Sequence, residues 1–93
     1  MSDSDQDGLE GGAYIAVPRD LQRRFGGRVK ALRQEQKLTQ RKLAAIAGYH
    51  WTYLGQVERG ERNVTLTTIV RIGAALGIDA AELLRGLATS PRK

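Results

Sequence analysis

Residues 38–60 read Leu38-Thr39-Gln40-Arg41-Lys42-Leu43-Ala44-Ala45-Ile46-Ala47-Gly48-Tyr49-His50-Trp51-Thr52-Tyr53-Leu54-Gly55-Gln56-Val57-Glu58-Arg59-Gly60, and this stretch decides the fold. Leu43, Ala44 and Ala47 make one narrow apolar stripe at helical spacing, and Leu54 with Val57 makes a second. Between them Ala47-Gly48-Tyr49 is too short a turn for two antiparallel helices, so the helices must cross steeply. The pattern predicts a helix-turn-helix, a device that presents its second helix to the DNA major groove. An ordinary helical hairpin in a small bundle is the alternative, and the charge of the chain argues against it.

The chain has 93 residues, enough for one domain with a modest core. One Trp, three Tyr and one Phe leave that core to aliphatic side chains, which suits packed helices. With no cysteine there is no disulfide, thiolate metal site or cysteine nucleophile, and His50 alone makes no metal cluster. No cofactor or metal is expected. No apolar run is long enough for a membrane span and no basic-then-apolar leader opens the chain, so a soluble cytoplasmic protein associated with the nucleoid is expected. The net charge is +5, but residues 1–18 hold Asp3, Asp5, Asp7 and Glu10 without Lys or Arg, a charge of −4. The other 75 residues therefore carry +9, which attracts polyanions, nucleic acid first among them.

Working outward, residues 1–17 are rich in Gly, Asp and Ser around a small apolar patch, Tyr14-Ile15-Ala16-Val17, and read as a disordered acidic tail. Residues 18–88 read as one helical domain and 89–93 as a basic C-terminal tail. The first helix is expected over about 20–36, with Leu21, Phe25, Val29 and Leu32 on one stripe. Gly26-Gly27 within it should cost about 1 kcal/mol each relative to alanine and fray its first turns. The second and third helices are expected over about 39–47 and 50–59. The fourth, about 65–76, buries Leu66, Ile69, Ile72 and Leu76 and stops at Gly77. The fifth opens at Asp79, with Glu82 as capping-box partner, and carries Leu83, Leu84 and Leu87. There is no strand signal, so the fold class is all-α, a compact five-helix domain.

Carboxylates belong at the positive start of a helix, yet the second helix places Arg41 and Lys42 in its first turn. Thr39 can cap the backbone there while Gln40 points its amide outward. A start ringed with cations is a phosphate seat; two solvated side chains are the plainer alternative. On the third helix Leu54 and Val57 define the buried side. Thr52, Gly55 and Gln56 then fall opposite, with Trp51 and Tyr53 on the flanks. Hydroxyl, amide and indole groups suit base edges and thymine methyls, and Gln56 could pair with adenine through two hydrogen bonds. Gly55 would let DNA approach the backbone closely. A lone tryptophan is often core, but the angle of Trp51 favours exposure. His50 is a candidate cap or phosphate contact with no catalytic role. Glu58 lies beside the buried stripe, and a structural salt bridge to Arg33 of the first helix is expected, a solvated Glu58 being the alternative.

Leu38-Thr39-Gln40, Ala47-Gly48, Tyr53-Leu54, Val57-Glu58-Arg59-Gly60, Arg62-Asn63 and Leu76-Gly77 together resemble the lambda-repressor-like (Cro/repressor, XRE) helix-turn-helix family over about residues 20–87. The run 50–66 is similar, more particularly, to controller proteins of restriction–modification systems. The resemblance implies a five-helix domain that binds operator DNA as a two-fold dimer. It implies Gln40 on a phosphate, Trp51, Thr52 and Gln56 in the major groove, and Arg62-Asn63 on the backbone; the Arg33–Glu58 pair is likewise a family feature. With Thr39, Arg41, Lys42, His50, Tyr53 and Arg59 these complete the expected DNA surface. Two positions depart from the pattern. Trp51 stands where such controllers commonly have arginine, and it cannot make the bidentate contact to guanine. Tyr49 replaces a small aliphatic residue.

The reading is a sequence-specific transcriptional regulator, a repressor or autoregulator, that binds a palindromic double-stranded operator as a homodimer. Leu83, Leu84 and Leu87 are the expected dimer interface: one or two dock inward, the rest meet the partner with part of the fourth helix, and Tyr14–Val17 is a rival. Two alternatives remain. One is an antitoxin whose acidic tail engages a protein partner; the other is a protein-interaction module that has lost DNA binding. No nucleophile–base pair, carboxylate pair or phosphate loop supports an enzyme, and no amphipathic basic segment supports a membrane partner.

Overall fold

The computed structural model describes residues 20–87, and within them the chain forms five helices and no strand. They are α1 (Leu21–Glu35), α2 (Gln40–Ala47), α3 (Trp51–Glu58), α4 (Leu66–Leu76) and α5 (Ala80–Leu84). The expectations for residues 1–17 and 89–93, and for the Tyr14–Val17 patch, lie outside the described residues.

Helix α1 buries Phe25 and Val29, with Leu32 packed beside them, so the predicted stripe is the buried one. The helix runs unbroken through Gly26-Gly27. The reason is tertiary: a Cβ on Gly26 would overlap the carbonyl oxygen of Val57 and stand 2.6 Å from that of Glu58. Only glycine lets α1 approach the end of α3 this closely. The cost in helix propensity is accepted for backbone contact, and fraying is not the outcome. At the far end Lys37, at φ 60°, turns the chain toward α2.

The α2–α3 turn follows from one residue. Gly48 sits at φ 89°, a left-handed conformation that side chains with a Cβ adopt at a cost. There its N–H and that of Tyr49 both reach the Ala44 carbonyl at 2.8 Å. His50 then caps α3, its Nδ1 accepting from the Thr52 N–H at 3.0 Å. Thr39 caps α2 through the Lys42 N–H at 3.0 Å, as its position predicts.

The core is aliphatic. Leu43, Leu54, Ile72, Leu83, Val29 and Val57 are its largest fully buried side chains, drawn from all five helices. Each of the leucines and the isoleucine contributes about 1.5–3 kcal/mol by leaving water. Helix α3 packs on α1 and α2, α4 packs on α2, and α5 closes the molecule against α4 and α1.

Three expectations are corrected here. Leu66 is 74% exposed, not buried. Six residues carry a helix about 600°, which leaves Leu66 some 120° from Ile72, and Thr68 takes the buried place instead. Helix α5 ends at Leu84, because Arg85 is extended and Gly86 lies at φ 81°, so Leu87 follows the helix rather than riding on it. Glu82 is no capping-box partner. The Asp79 carboxylate accepts from the Ala81 N–H, and the Glu82 carboxylate turns to Arg85 at 2.6 Å and Arg28 at 3.7 Å.

Candidate nucleic-acid interface

The starts of α2 and α3 meet beside exposed cations. Neither has a carboxylate in its first turn, nor do α1 and α4, whereas α5 has Glu82. The uncancelled N–H dipoles of both helices therefore add to the exposed cations Arg41 and Lys42. The Arg41 guanidinium lies 4.5 Å from the centroid of the Trp51 ring, a cation–π contact that joins the two helix starts. Trp51 is 40% exposed and stacks on His50 at 5.7 Å. Its expected outward position is therefore the observed one. Because His50 Nδ1 accepts from the backbone, its Nε2 is the ring nitrogen left to donate outward.

Along α3, Thr52 is exposed, and Tyr53 and Gln56 are half-buried. Gly55 is a correction: it is buried, not open to a DNA backbone, with the Gln40 carboxamide 3.6 Å from where its Cβ would stand. Gln40 itself does not point its amide outward. It donates from Nε2 to Glu58 Oε1 at 2.9 Å, crossing from the start of α2 to the end of α3.

That carboxylate is the structural anchor of the site. Arg33 Nε reaches Glu58 Oε2 at 2.7 Å and its second nitrogen reaches Oε1 at 3.0 Å, a bidentate pair with both residues under 10% exposed. The remaining Arg33 nitrogen donates to the Leu38 carbonyl at 2.8 Å. The expected Arg33–Glu58 bridge is present, and it ties α1, the α1–α2 loop, α2 and α3 at one point. No buried side-chain polar atom among the described residues lacks a partner.

The loop after α3 carries the rest. Arg59 pairs with Glu61 at 3.0 Å in full solvent. The hydrogen bond from Arg59 lowers the Glu61 pKa, and the same bond raises that of Arg59. Arg62 Nε donates to Gln56 Oε1 at 2.9 Å, and its guanidinium carbon stands 5.4 Å from the Tyr53 centroid. Asn63 is exposed beside it. Thr39, Gln40, Arg41, Lys42, His50, Trp51, Thr52, Tyr53, Gln56 and Arg59 thus lie on α2, on α3 or at their ends, and Arg62 and Asn63 on the loop after α3.

Of the three leucines of which one or two were expected to dock inward, Leu83 does so and is wholly buried in the core. Leu84 is 42% exposed, and Leu87 is half-buried in an apolar cleft of about 360 Å³ with Leu21, Phe25, Val64 and Ile69. Arg71 of α4 was not anticipated. Its guanidinium covers Gly48 and lies 4.9 Å from the Tyr49 centroid, while the Tyr49 hydroxyl bonds Thr68 at 2.9 Å. A signal for it existed, since Arg71 has no carboxylate three or four residues away to hold it on its own helix. Among the described residues no group of His, Cys, Asp or Glu could hold a metal, and no helix is long and apolar enough to cross a membrane.

Comparison with known proteins agrees with this architecture. The helix-turn-helix family profile matches residues 29–83. The chain is 42% identical over 65 residues to the control protein C.SmaI of Serratia marcescens, covering 70% of this chain and 77% of that protein. It is 41% identical over 59 residues to the immunity repressor of Bacillus phage phi105, covering 63% of this chain and 41% of that protein. The crystal structure of the restriction–modification controller protein C.AhdI from Aeromonas hydrophila superposes with a TM-score of 0.67 at 42% identity, over 71% of this chain and 98% of that one.

Proposed function

This chain belongs to the helix-turn-helix family, and from that premise we propose how it acts as a DNA-binding transcriptional regulator. Helix α3 enters the major groove and reads bases with Trp51, Thr52 and Gln56. Thr39, Arg41, Lys42, His50, Tyr53, Arg59, Arg62 and Asn63 hold the flanking phosphates, and Gln40, turned onto Glu58, steadies the start of α2 among them. The observation that carries this reading is the Arg41–Trp51 contact joining the starts of α2 and α3, with Arg41 and Lys42 exposed in the first turn of α2. A helix start offers phosphate oxygens both N–H donors and a favourable dipole.

One α3 covers only a few base pairs, so the regulator acts as a homodimer on a two-fold operator, its recognition helices about 34 Å apart. The exposed side of α4, with Leu66 and Val70 one turn apart, together with Leu84 on α5, is the apolar surface that suits a second copy. Leu83 takes no part. The likeness to control proteins makes a restriction–modification locus the favoured setting, and the cytoplasm the place of action.

Selection of bound fragments from a random double-stranded pool tests the reading. A palindromic consensus with two half-sites one helical turn apart is the expected result. Recovery of no consensus would overturn it. Sedimentation of Leu84→Glu tests the interface, with a monomer as the expected outcome.

A further inference from the structure

Gln56 is free on the α3 surface to read a base, but its carboxamide is not free to choose which end it presents. A guanidinium has donors and no acceptor, so the carboxamide atom facing Arg62 Nε at 2.9 Å must be the oxygen. Arg62 is held in turn by Tyr53, three residues before Gln56 on the same face of α3, with 5.4 Å from guanidinium carbon to ring centroid. The neighbouring carboxylate, Glu61, bonds Arg59 at 3.0 Å and also feels the charge of Arg62, whose Nε stays on Gln56. The backbone fixes the loop as well, because the Glu61 N–H bonds the Gln56 carbonyl at 2.9 Å.

The consequence lies in hydrogen-bond polarity. A glutamine that reads adenine needs both ends of its amide, the oxygen accepting from N6 and the nitrogen donating to N7. Here one lone pair of the oxygen accepts from Arg62, and the positive charge beside it weakens the second lone pair as an acceptor. The stronger hydrogen-bonding end left for a base is the Nε2 donor pair, backed by a cation. That combination disfavours the adenine N6 donor and matches an edge made of acceptors only, which in the major groove is guanine O6 and N7. We propose that Arg62 is a positioning residue that sets the polarity of Gln56, so that this glutamine reads guanine in place of adenine. The unit would also restore a guanine contact to a recognition helix that has Trp51, which cannot accept or donate in that bidentate way, at its start.

This inference rests on α3 as the base-reading helix, and the experiment separates the two. Binding sites are selected from a random duplex pool with the full chain, with Gln56→Ala, with Arg62→Ala and with Arg62→Lys. The base pair whose preference disappears in Gln56→Ala is the one Gln56 reads. Guanine is expected there for the unaltered chain. Arg62→Ala frees the amide oxygen and should move that one position toward adenine by about tenfold, leaving the rest of the consensus in place. Arg62→Lys keeps a cationic donor and should keep guanine. A role of Arg62 on phosphate alone would instead lower affinity for every sequence alike with no change of base, and that result overturns the inference. So does a consensus with adenine at the Gln56 position in the unaltered chain. If Gln56→Ala changes no position while the unaltered chain still selects a consensus, Gln56 reads no base and this inference alone fails; if the unaltered chain selects no consensus, the α3 reading itself fails.

Discussion

Glu58 and Arg59 are neighbours in the sequence, each forms an ion pair with an opposite charge, and the two pairs behave as different objects. Glu58 is 7% exposed, receives both prongs of the Arg33 fork and accepts from Gln40 as well. Arg59 meets Glu61 two residues away in open solvent. The difference is which side of α3 each residue leaves from. On the core side the charges have lost their water, and their stability depends on one another. On the outer side water and salt screen both partners, and the pair contributes little to the fold. The buried pair ties α1 to α3, and Gln40 on the same carboxylate adds α2. The solvent side stays adaptable, which suits a surface that has to meet phosphates.

The largest break in this comparison should come from Glu58→Ala. It leaves Arg33 buried without a counter-charge and releases Gln40 from α3, and a loss of about 3 kcal/mol is expected from denaturant unfolding. A double-mutant cycle with Arg33→Ala should show strong coupling, and the same cycle on Arg59 and Glu61 almost none. Gly26→Ala comes next, since it strikes the seam that the buried pair closes. Its methyl group meets the α3 carbonyls, which should cost about 1–3 kcal/mol by overpacking. Gly27→Ala faces nothing within 4 Å and should instead raise the thermal midpoint, by helix propensity worth up to about 1 kcal/mol.

Arg41→Ala sharpens the outer half of the comparison. Stability should stay within about 0.5 kcal/mol, as for other surface changes. The log–log slope of DNA affinity against salt should become shallower by about 0.9 if Arg41 holds one phosphate. An unchanged slope would place Arg41 off the DNA. The smallest effect belongs to the Arg59–Glu61 pair. The Glu61 carboxyl is held below the usual carboxylate range by its hydrogen bond from Arg59. The stability it adds is therefore present above the free-carboxylate pKa and is lost as the pH falls through the lowered value. Thermal midpoints measured from neutral to acid pH should show that small acid loss in the unaltered chain and not in Arg59→Ala.

Local chemistry in the sequence determined the helices and much of the site. The stripes Phe25–Val29, Leu43–Ala47 and Leu54–Val57 announce which side of each helix is buried, because apolar burial at helical spacing is a property of one helix by itself. Thr39, His50 and Asp79 cap within three residues of themselves, and Gly48 sets the turn by its own backbone, so these too were legible. The Arg33–Glu58 pair was within reach because both residues sit at the margin of a buried stripe. What only the tertiary structure decided is whatever depends on a neighbour's position. Gly26 is explained by the α3 carbonyls it meets, and Gly55 is covered by the side chains of Arg59 and Gln40. Leu66 lies outside because no other element among the described residues covers its side of α4. The turn of Gln40 toward Glu58, the hold of Arg62 on Gln56 and the placing of Arg71 over Tyr49 join separate elements. Periodicity fixes the angle of a side chain about its own helix axis. It does not say which donor, carbonyl or ring of another element waits at that angle, and in this protein those meetings orient the surface offered to DNA.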